Sequence, residues 1–514
     1  MSTSKAAVPP PLVGSDLMLV TIAISLATFM EVLDTTIVNV SIPAIAGSLG
    51  VSANEGTWTI TSYSLAAAIM QPLTGWLGRR FGEVRTFVAS TLLFVCLSAL
   101  CGLASSMPML VLFRLLQGAV SGPMAPMAQS LLMRSYRPEK RGTAMGLWSM
   151  VIVVAPIFGP ILGGWITDNL SWPWLFYINV PVGLIASGAV WGLLRRRETE
   201  RQHTPVDITG LLLLFAGVGA LQFMLDNGND NDWFSSPLIV TAAVVAVVCI
   251  TVLIAWELTD EHPVIDLHLF DFRNFRVGLI ALCFGFAAFF GATVIYPLFL
   301  QTTAGYSATW AGLATAPIGI LALFLMPVVG VNIHRMNIRV AASFGFIVLG
   351  ACMFWFSRLN ETVSFWQMAT PRLFQGIGMA FFFIPLQQIL YSDVDTAHIA
   401  SASGLANFLR NTAGSMATAA SIWLWSARTD YHRAVLAQHV THGSAWDGWA
   451  SRLSALGLQG AGALAKTEAV VEQQARSMGA NDVFMIFAVV IWIAVPIIWF
   501  AKPPFMSAKQ RPTH

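Results

Sequence analysis

Five charged side chains stand inside stretches that are otherwise apolar: Glu31, Asp34, Arg114, Arg372 and Arg410. A charge in such a stretch is expensive to remove from water, and chains retain it where it binds, relays or gates. A carboxyl and a guanidinium at one depth make the simplest proton-responsive pair. Low dielectric favours the neutral acid and a neighbouring arginine favours the carboxylate, so a small change of surroundings can move the proton. Asp34 lies several residues short of the outer end of the first apolar stretch, and Arg114 about six residues past the outer start of the fourth. At about 1.5 Å per residue, both lie roughly 10 Å below the outer surface, and the spacing predicts that they pair. Glu31 is three residues before Asp34, on nearly the same helix face. It either shares a proton with Asp34 or takes a separate role. Arg372, Arg410, Asn407 and Gln117 are the further candidates for substrate binding or coupling. A purely structural salt bridge is the alternative for Asp34 and Arg114, and anchoring to a facing carbonyl is the alternative for Arg372 and Arg410.

These residues need elements that hold them in lipid. Of the 514 residues, 56% are hydrophobic and only 11% charged, with mean hydropathy +0.68. In water that composition would expose large apolar patches. A spanning helix takes about 20 apolar residues, and this window predicts fourteen spans: 17–42, 58–77, 86–105, 108–133, 143–166, 173–194, 208–226, 237–257, 277–301, 310–331, 339–357, 366–391, 400–426 and 482–501. With the N-terminus inside, the inner segments carry nineteen Lys and Arg, and the short outer loops carry one, Arg358. By the positive-inside rule both termini are cytoplasmic. The first span is too long for a signal-peptide core and contains Glu31 and Asp34, so it is expected to stay uncleaved.

The chain also repeats itself. Phe113-Arg-Leu-Leu-Gln-Gly118 opens the fourth span and Pro371-Arg-Leu-Phe-Gln-Gly376 the twelfth, 258 residues later. Pro72-x-x-Gly75 with Arg80 and Arg85 closes the second, and Pro327-x-x-Gly330 with Arg335 and Arg339 the tenth, 255 residues later. Such repeats are typical of secondary transporters. They predict an all-α integral membrane protein of two six-helix halves, residues 1–200 and 261–514, with a helix pair inserted over 201–260. An outer loop over 427–481, with Trp446, Trp449, Lys466, Glu468 and Glu472, reads as largely helical, either a solvated hairpin or a docking surface.

Several chemistries have no support. There is no G-x-x-x-x-G-K-[ST] phosphate loop, no G-x-S-x-G and no H-E-x-x-H. The nine histidines lie in loops, at loop edges or at the terminus, so no haem pair sits in the membrane. The five cysteines lie in apolar runs without a close pair. Asp430, His432, His439 and His442 in the outer loop lack metal spacing. No cofactor or metal is expected, and a net charge of +2 does not point to nucleic acid.

At this point the residues resemble a known group. The chain resembles the major facilitator superfamily, specifically its fourteen-helix drug:proton antiporters and, within them, the EmrB type. Leu33-Asp34-Thr35-Thr36-Ile37-Val38-Asn39-Val40 with Pro43 is similar to that group's first-helix motif. Gly75-Trp-Leu-Gly-Arg79-Arg80-Phe-Gly82 resembles the loop motif G-x-L-x-D-R-x-G, and Arg114 with Gln117 and Gly118 the fourth-helix motif. Pro156, Gly159, Pro160, Gly163 and Gly164 resemble the antiporter motif of the fifth helix. Trp174-x-Phe176, Ile178-Asn-Val-Pro181, Pro263-x-x-Asp266-Leu-x-Leu-Phe270 and Arg273-Asn-Phe275 fit the same group. One departure stands out: Arg79 replaces the acid of the loop motif, which puts the inward-closed brace of the family in doubt. The resemblance implies a proton-driven exporter of hydrophobic drugs and uncouplers in the inner membrane, working with an EmrA-like periplasmic adaptor and a TolC-like outer-membrane channel. A narrow-specificity metabolite or siderophore exporter of the same fold is the alternative.

Overall fold

Backbone groups in lipid have no water to bond, so a chain of this composition must satisfy them within helices. The computed structural model describes residues 12–201, 207–260, 263–360, 362–440, 444–455, 457 and 459–505, and these contain helices and no strand. The first helices are α1 (Gly14–Ile37), α2 (Ile42–Leu49), α3 (Ala53–Met70), α4 (Thr74–Phe81), α5 (Glu83–Gly102), α6 (Met107–Ser121), α7 (Met124–Ser135), α8 (Arg141–Asn169), α9 (Trp174–Tyr177) and α10 (Asn179–Leu194). A pair follows, α11 (Ile208–Asn227) and α12 (Pro237–Glu257). The last are α13 (Arg273–Thr302), α14 (Ala308–Thr315), α15 (Pro317–Asn332), α16 (Ile338–Phe356), α17 (Phe365–Tyr391), α18 (Ile399–Val440), α19 (Ser444–Ala455) and α20 (Ala461–Ile498).

Among the described residues, eleven helical segments are long and apolar enough to cross a membrane. The three remaining expected spans, 58–77, 108–133 and 400–426, fall on α3 with α4, α6 with α7, and α18, so fourteen passes are consistent with the structure. The chain is more broken than the hydropathy windows predict. Pro72 separates α3 from α4, Gly122-Pro123 separates α6 from α7, and Pro317 opens α15. At each of these the proline lacks the N–H that would continue the helix.

α1 packs on α8 and α10, α5 on α6 and α10, and α3 on α6. A second set joins α13 to α18 and α20, α16 to α17 and α20, and α15 to α17. α11 and α12 pack on each other, and α11 also touches α3 and α18. The sets meet along α8–α15, α7–α18 and α4–α18. Trp148 of α8 stacks on Phe383 of α17 with centroids 6.0 Å apart.

Hydrogen bonds between the sets collect at the end that carries the basic loops. Gln129 donates to Gln387 at 2.9 Å and accepts from Tyr391 at 3.2 Å, and Ser403 also donates to Gln129. Arg79 donates to Ser401 at 3.0 Å, and Asn411 to Gln71 at 3.1 Å. Gly75 lies so close to Ser401 that any Cβ at 75 would overlap it.

The segment 427–481 differs from a loop hung between two spans. α18 runs 42 residues without interruption, and α20 starts at Ala461, well before the last apolar span. Both therefore project out of the membrane, α18 by about 20 Å beyond residue 426 at 1.5 Å per residue, and α19 lies between them. Charges clamp the projection: Asp482 accepts from Arg428 at 2.6 Å and meets His432 at 2.8 Å, and Arg433 pairs with Glu468 at 2.9 Å. Trp449 donates to Thr467 at 2.8 Å. The Trp446 side chain lies outside the described residues.

The glycine string of α8 divides by role. A Cβ at Gly159 would overlap Thr36, and one at Gly163 would come within 2.6 Å of the Ile37 carbonyl, whereas one at Gly164 would meet nothing within 4 Å. The first two let α8 lie directly on the end of α1. Pro156 sits in the same unbroken helix. The Pro160 side chain lies outside the described residues. We expect Gly159→Val to destabilise by about 1–3 kcal/mol through overpacking, and Gly164→Val to be near neutral. Thermal unfolding of the purified protein in detergent measures both, and equal effects would contradict this packing.

Candidate functional site

Asp34 is completely buried three residues from the end of α1, and Arg114 is 1% exposed in the second turn of α6. They meet as the depth argument predicts: Arg114 Nη1 donates to Asp34 Oδ2 at 2.5 Å. Asp34 Oδ1 accepts from Asn179 Nδ2 of α10 at 2.7 Å. Arg114 Nε donates to the Thr59 carbonyl of α3 at 3.1 Å, and Nη1 also reaches Gln117 Oε1 at 2.8 Å. The guanidinium lies 4.2 Å from the Tyr63 ring centroid and 5.7 Å from that of Phe176. Ser98 of α5 accepts from Asn179 at 3.0 Å and donates to the Phe176 carbonyl at 2.9 Å. Helices α1, α3, α5, α6 and α10 therefore converge on one ion pair.

Glu31 stands one turn earlier on α1, 8% exposed, and its Oε2 has no hydrogen-bond partner. The cation whose field reaches it is Arg410 of α18, from the other helix set. Arg410 donates from Nε at 3.2 Å and Nη2 at 3.1 Å to Asn411 Oδ1, and lies 4.8 Å from the Phe286 ring centroid. Its Nη1 has no partner. Asn407, one turn earlier, donates to the Ser403 carbonyl at 2.8 Å and leaves Oδ1 unpartnered. Two opposite charges and an amide oxygen thus lie buried with hydrogen-bonding capacity unused. Arg372 is separate from this group, within α17.

The loop motif sits at the basic end. Gly82 has φ +92°, a conformation that favours glycine, and begins α5 against the Glu198 carboxylate. That carboxylate accepts from the backbone N–H of Val84 and of Arg85, both at 3.0 Å, satisfying orphan donors of the helix N-terminus. Arg80 is half-buried at the end of α4. Arg79, the residue that departs from the motif, crosses to Ser401. The contact between the sets is made there by a cation and a hydroxyl.

Residue spacing missed several participants. Asn179 belongs to a string quoted only for its similarity, and nothing in its spacing ties it to Asp34. Glu83 is buried and bridges Arg134 at 3.1 Å and Ser130 at 2.9 Å, but it lies three residues before its predicted span. The set of five charges inside spans also needs correction. Asp226 and Glu257 occupy the last positions of 208–226 and 237–257, Arg339 and Asp482 the first of 339–357 and 482–501, and Glu257 is buried, accepting from the Ile265 N–H at 3.2 Å. Position at a span's edge concealed them.

Helices lined against one another around buried charges, with eleven segments long and apolar enough to cross a membrane among the described residues, are those of a polytopic membrane protein. The Major Facilitator Superfamily profile matches residues 24–418. The Multidrug export protein EmrB of Haemophilus influenzae is 47% identical over 96% of this chain and 98% of its own length. The Fatty acid resistance protein FarB of Neisseria gonorrhoeae is 44% identical over 97% and 98%. A solved structure of the proton:xylose symporter XylE covers 94% of this chain and 95% of its own, with TM-score 0.60 and 15% identity, a likeness of fold alone. The chain belongs to the Major Facilitator Superfamily and, within it, to the EmrB group.

Removing one member of a buried ion pair leaves the other charge uncompensated, which costs about 3–5 kcal/mol. We expect Asp34→Asn and Arg114→Gln each to lower thermal stability strongly, and the double variant to lose less than the two losses combined. The coupling should be about 0.5–3 kcal/mol, read from the four unfolding curves of a double-mutant cycle. Additive losses would show that the pair does not act as a unit.

Proposed function

We propose that this chain is a proton-driven multidrug exporter of the inner membrane, exchanging hydrophobic drugs and uncouplers for protons. The observation that carries the proposal is a carboxylate held by an arginine inside one helix set, with a second buried carboxylate, Glu31, one turn away whose Oε2 has no partner. Protonating Asp34 removes its charge from the 2.5 Å contact. Arg114 keeps the Thr59 carbonyl and Gln117, so it stays anchored to α3 and α6 while its hold on α1 weakens. α1 also carries Glu31 and touches α8, so the proton at Asp34 bears on the space where the two sets face each other. Drug and proton then compete for one side of the cycle. Each proton entering along the potential supplies about 2.3 kcal/mol per 100 mV.

The two packing sets fit duplicated halves, residues 1–200 and 261–514, with α11 and α12 inserted between them. With the basic end in the cytoplasm, the hydrogen bonds through Gln129, Arg79 and Gln71 close the carrier on that side. The relative named for multidrug export supports a broad apolar cargo, and the one named for fatty acid resistance extends the cargo to amphipathic acids. The projecting α18 and α20 suit a docking surface for an EmrA-like periplasmic adaptor leading to a TolC-like outer-membrane channel.

In vesicles with an imposed proton gradient, Asp34→Asn should abolish uphill drug export while leaving drug binding, now independent of pH. Glu31→Gln should do less. Arg114→Lys, which keeps charge but loses the planar fork, should lose part. If both single carboxylate variants and the double variant remain coupled, the proton travels elsewhere. Replacing residues 436–464 by a short Gly/Ser linker should spare export in vesicles and remove resistance in whole cells. Resistance that survives the replacement excludes the docking role.

A further inference from the structure

The repeat that places Arg114 in α6 places Arg372 in α17, 258 residues later, and the two sites are built alike. Each arginine is 1% exposed. Each donates from Nη1 to the glutamine three residues on, Gln117 at 2.8 Å and Gln375 at 2.9 Å. Each guanidinium covers a tyrosine, 4.2 Å from the Tyr63 centroid and 4.0 Å from that of Tyr296, and lies near a phenylalanine, Phe176 at 5.7 Å and Phe356 at 5.4 Å.

The difference is the counter-charge. Arg114 has Asp34, whereas no acid among the described residues forms an ion pair with Arg372. At the same offset of 258 residues from Asp34 the chain has Ala292. Arg114 Nε finds the Thr59 carbonyl, whereas Arg372 Nε and Nη2 find no acceptor; Gln375 Nε2 is without a partner, as Gln117 Nε2 is in the sister site. The Tyr296 hydroxyl donates to the Met368 carbonyl at 2.9 Å, and its oxygen, neutral beside the guanidinium, leaves the charge uncompensated. Three buried, unpartnered donor nitrogens thus surround one positive charge that no accessible pH removes. An uncompensated buried charge costs several kcal/mol, and in the sister site an anion removes that cost. We infer that Arg372 and Gln375 hold a monovalent anion of chloride size, resident between α13, α16 and α17. A water molecule would accept hydrogen bonds but would leave the charge uncompensated. The site is distinct from the proposed coupling carboxylates, and its failure would leave the transport reading intact.

The test uses the full-length protein, purified and dialysed at length into sodium gluconate. Chloride is then titrated in at constant ionic strength and thermal unfolding is followed. Binding to the folded state alone raises the midpoint in a saturable way, here by about 2–4 °C, with bromide acting similarly. Arg372→Met should abolish the chloride dependence. Gln375→Glu guards against a variant that fails to fold, because it supplies a tethered carboxylate beside Arg372. It should match in gluconate the stability of the wild type in chloride, and respond to neither halide. Arg358→Met, on the outer surface over Phe354, should retain the wild-type response. Identical wild-type midpoints in gluconate and chloride would overturn the inference, and so would a halide response that persists in Gln375→Glu.

Discussion

An ion pair withdrawn from water is the constraint around which the first helices are arranged. Asp34 and Arg114 each carry a desolvation penalty that their mutual attraction offsets only if the remaining polar atoms are also satisfied. Five helices supply the partners: the Thr59 carbonyl from α3, Ser98 from α5, Gln117 from α6, Asn179 from α10 and Asp34 itself from α1, with Gln117 Nε2 left without one. No single helix could supply this set. The ion pair therefore acts as a fastener for the group.

Close approach of backbones is the second requirement. Apolar side chains gain little by leaving lipid for one another, so helices associate through small residues and dispersion contacts. Gly159 and Gly163 bring α8 onto the end of α1 beside Asp34, and Gly75 brings α4 onto Ser401. At the same place Arg79, which stands where the motif has an acid, donates directly to the Ser401 hydroxyl.

Outside the membrane different rules hold. Along α18 past residue 426 and along α20 before residue 482, water returns, and exchanged charges join the two helices beside the close approach of Gly479 to Thr429. Asp482 sits at the changeover, taking both Arg428 and His432. An apolar window ends where the lipid ends, but the hydrogen-bonded helix continues. That is why the outer segment, read from the sequence as largely helical, extends two spans beyond the apolar windows.

Lipid constrains a chain chiefly along one dimension. Fourteen candidate spans, the basic end and the common depth of Asp34 and Arg114 all follow from counting residues along the membrane normal at 1.5 Å each. The repeat that links Arg114 to Arg372 is likewise visible in order along the chain. Counting along that axis leaves rotation about it free. The meeting of Asn179 with Asp34 across 145 residues, the burial of Glu31 with its Oε2 unpartnered, and the isolation of Arg372 from any described acid depend on how each helix is turned and which neighbour it touches. Those choices are made by packing, through glycines that admit a neighbour and prolines that break α3 from α4 and α6 from α7. The sequence by itself determined that charges such as Asp34 and Arg114 enter apolar spans and how deep, but not those at span edges such as Glu257. The tertiary structure decided which of them are answered, because a partner distant in the chain comes into reach only when the helices have closed around it.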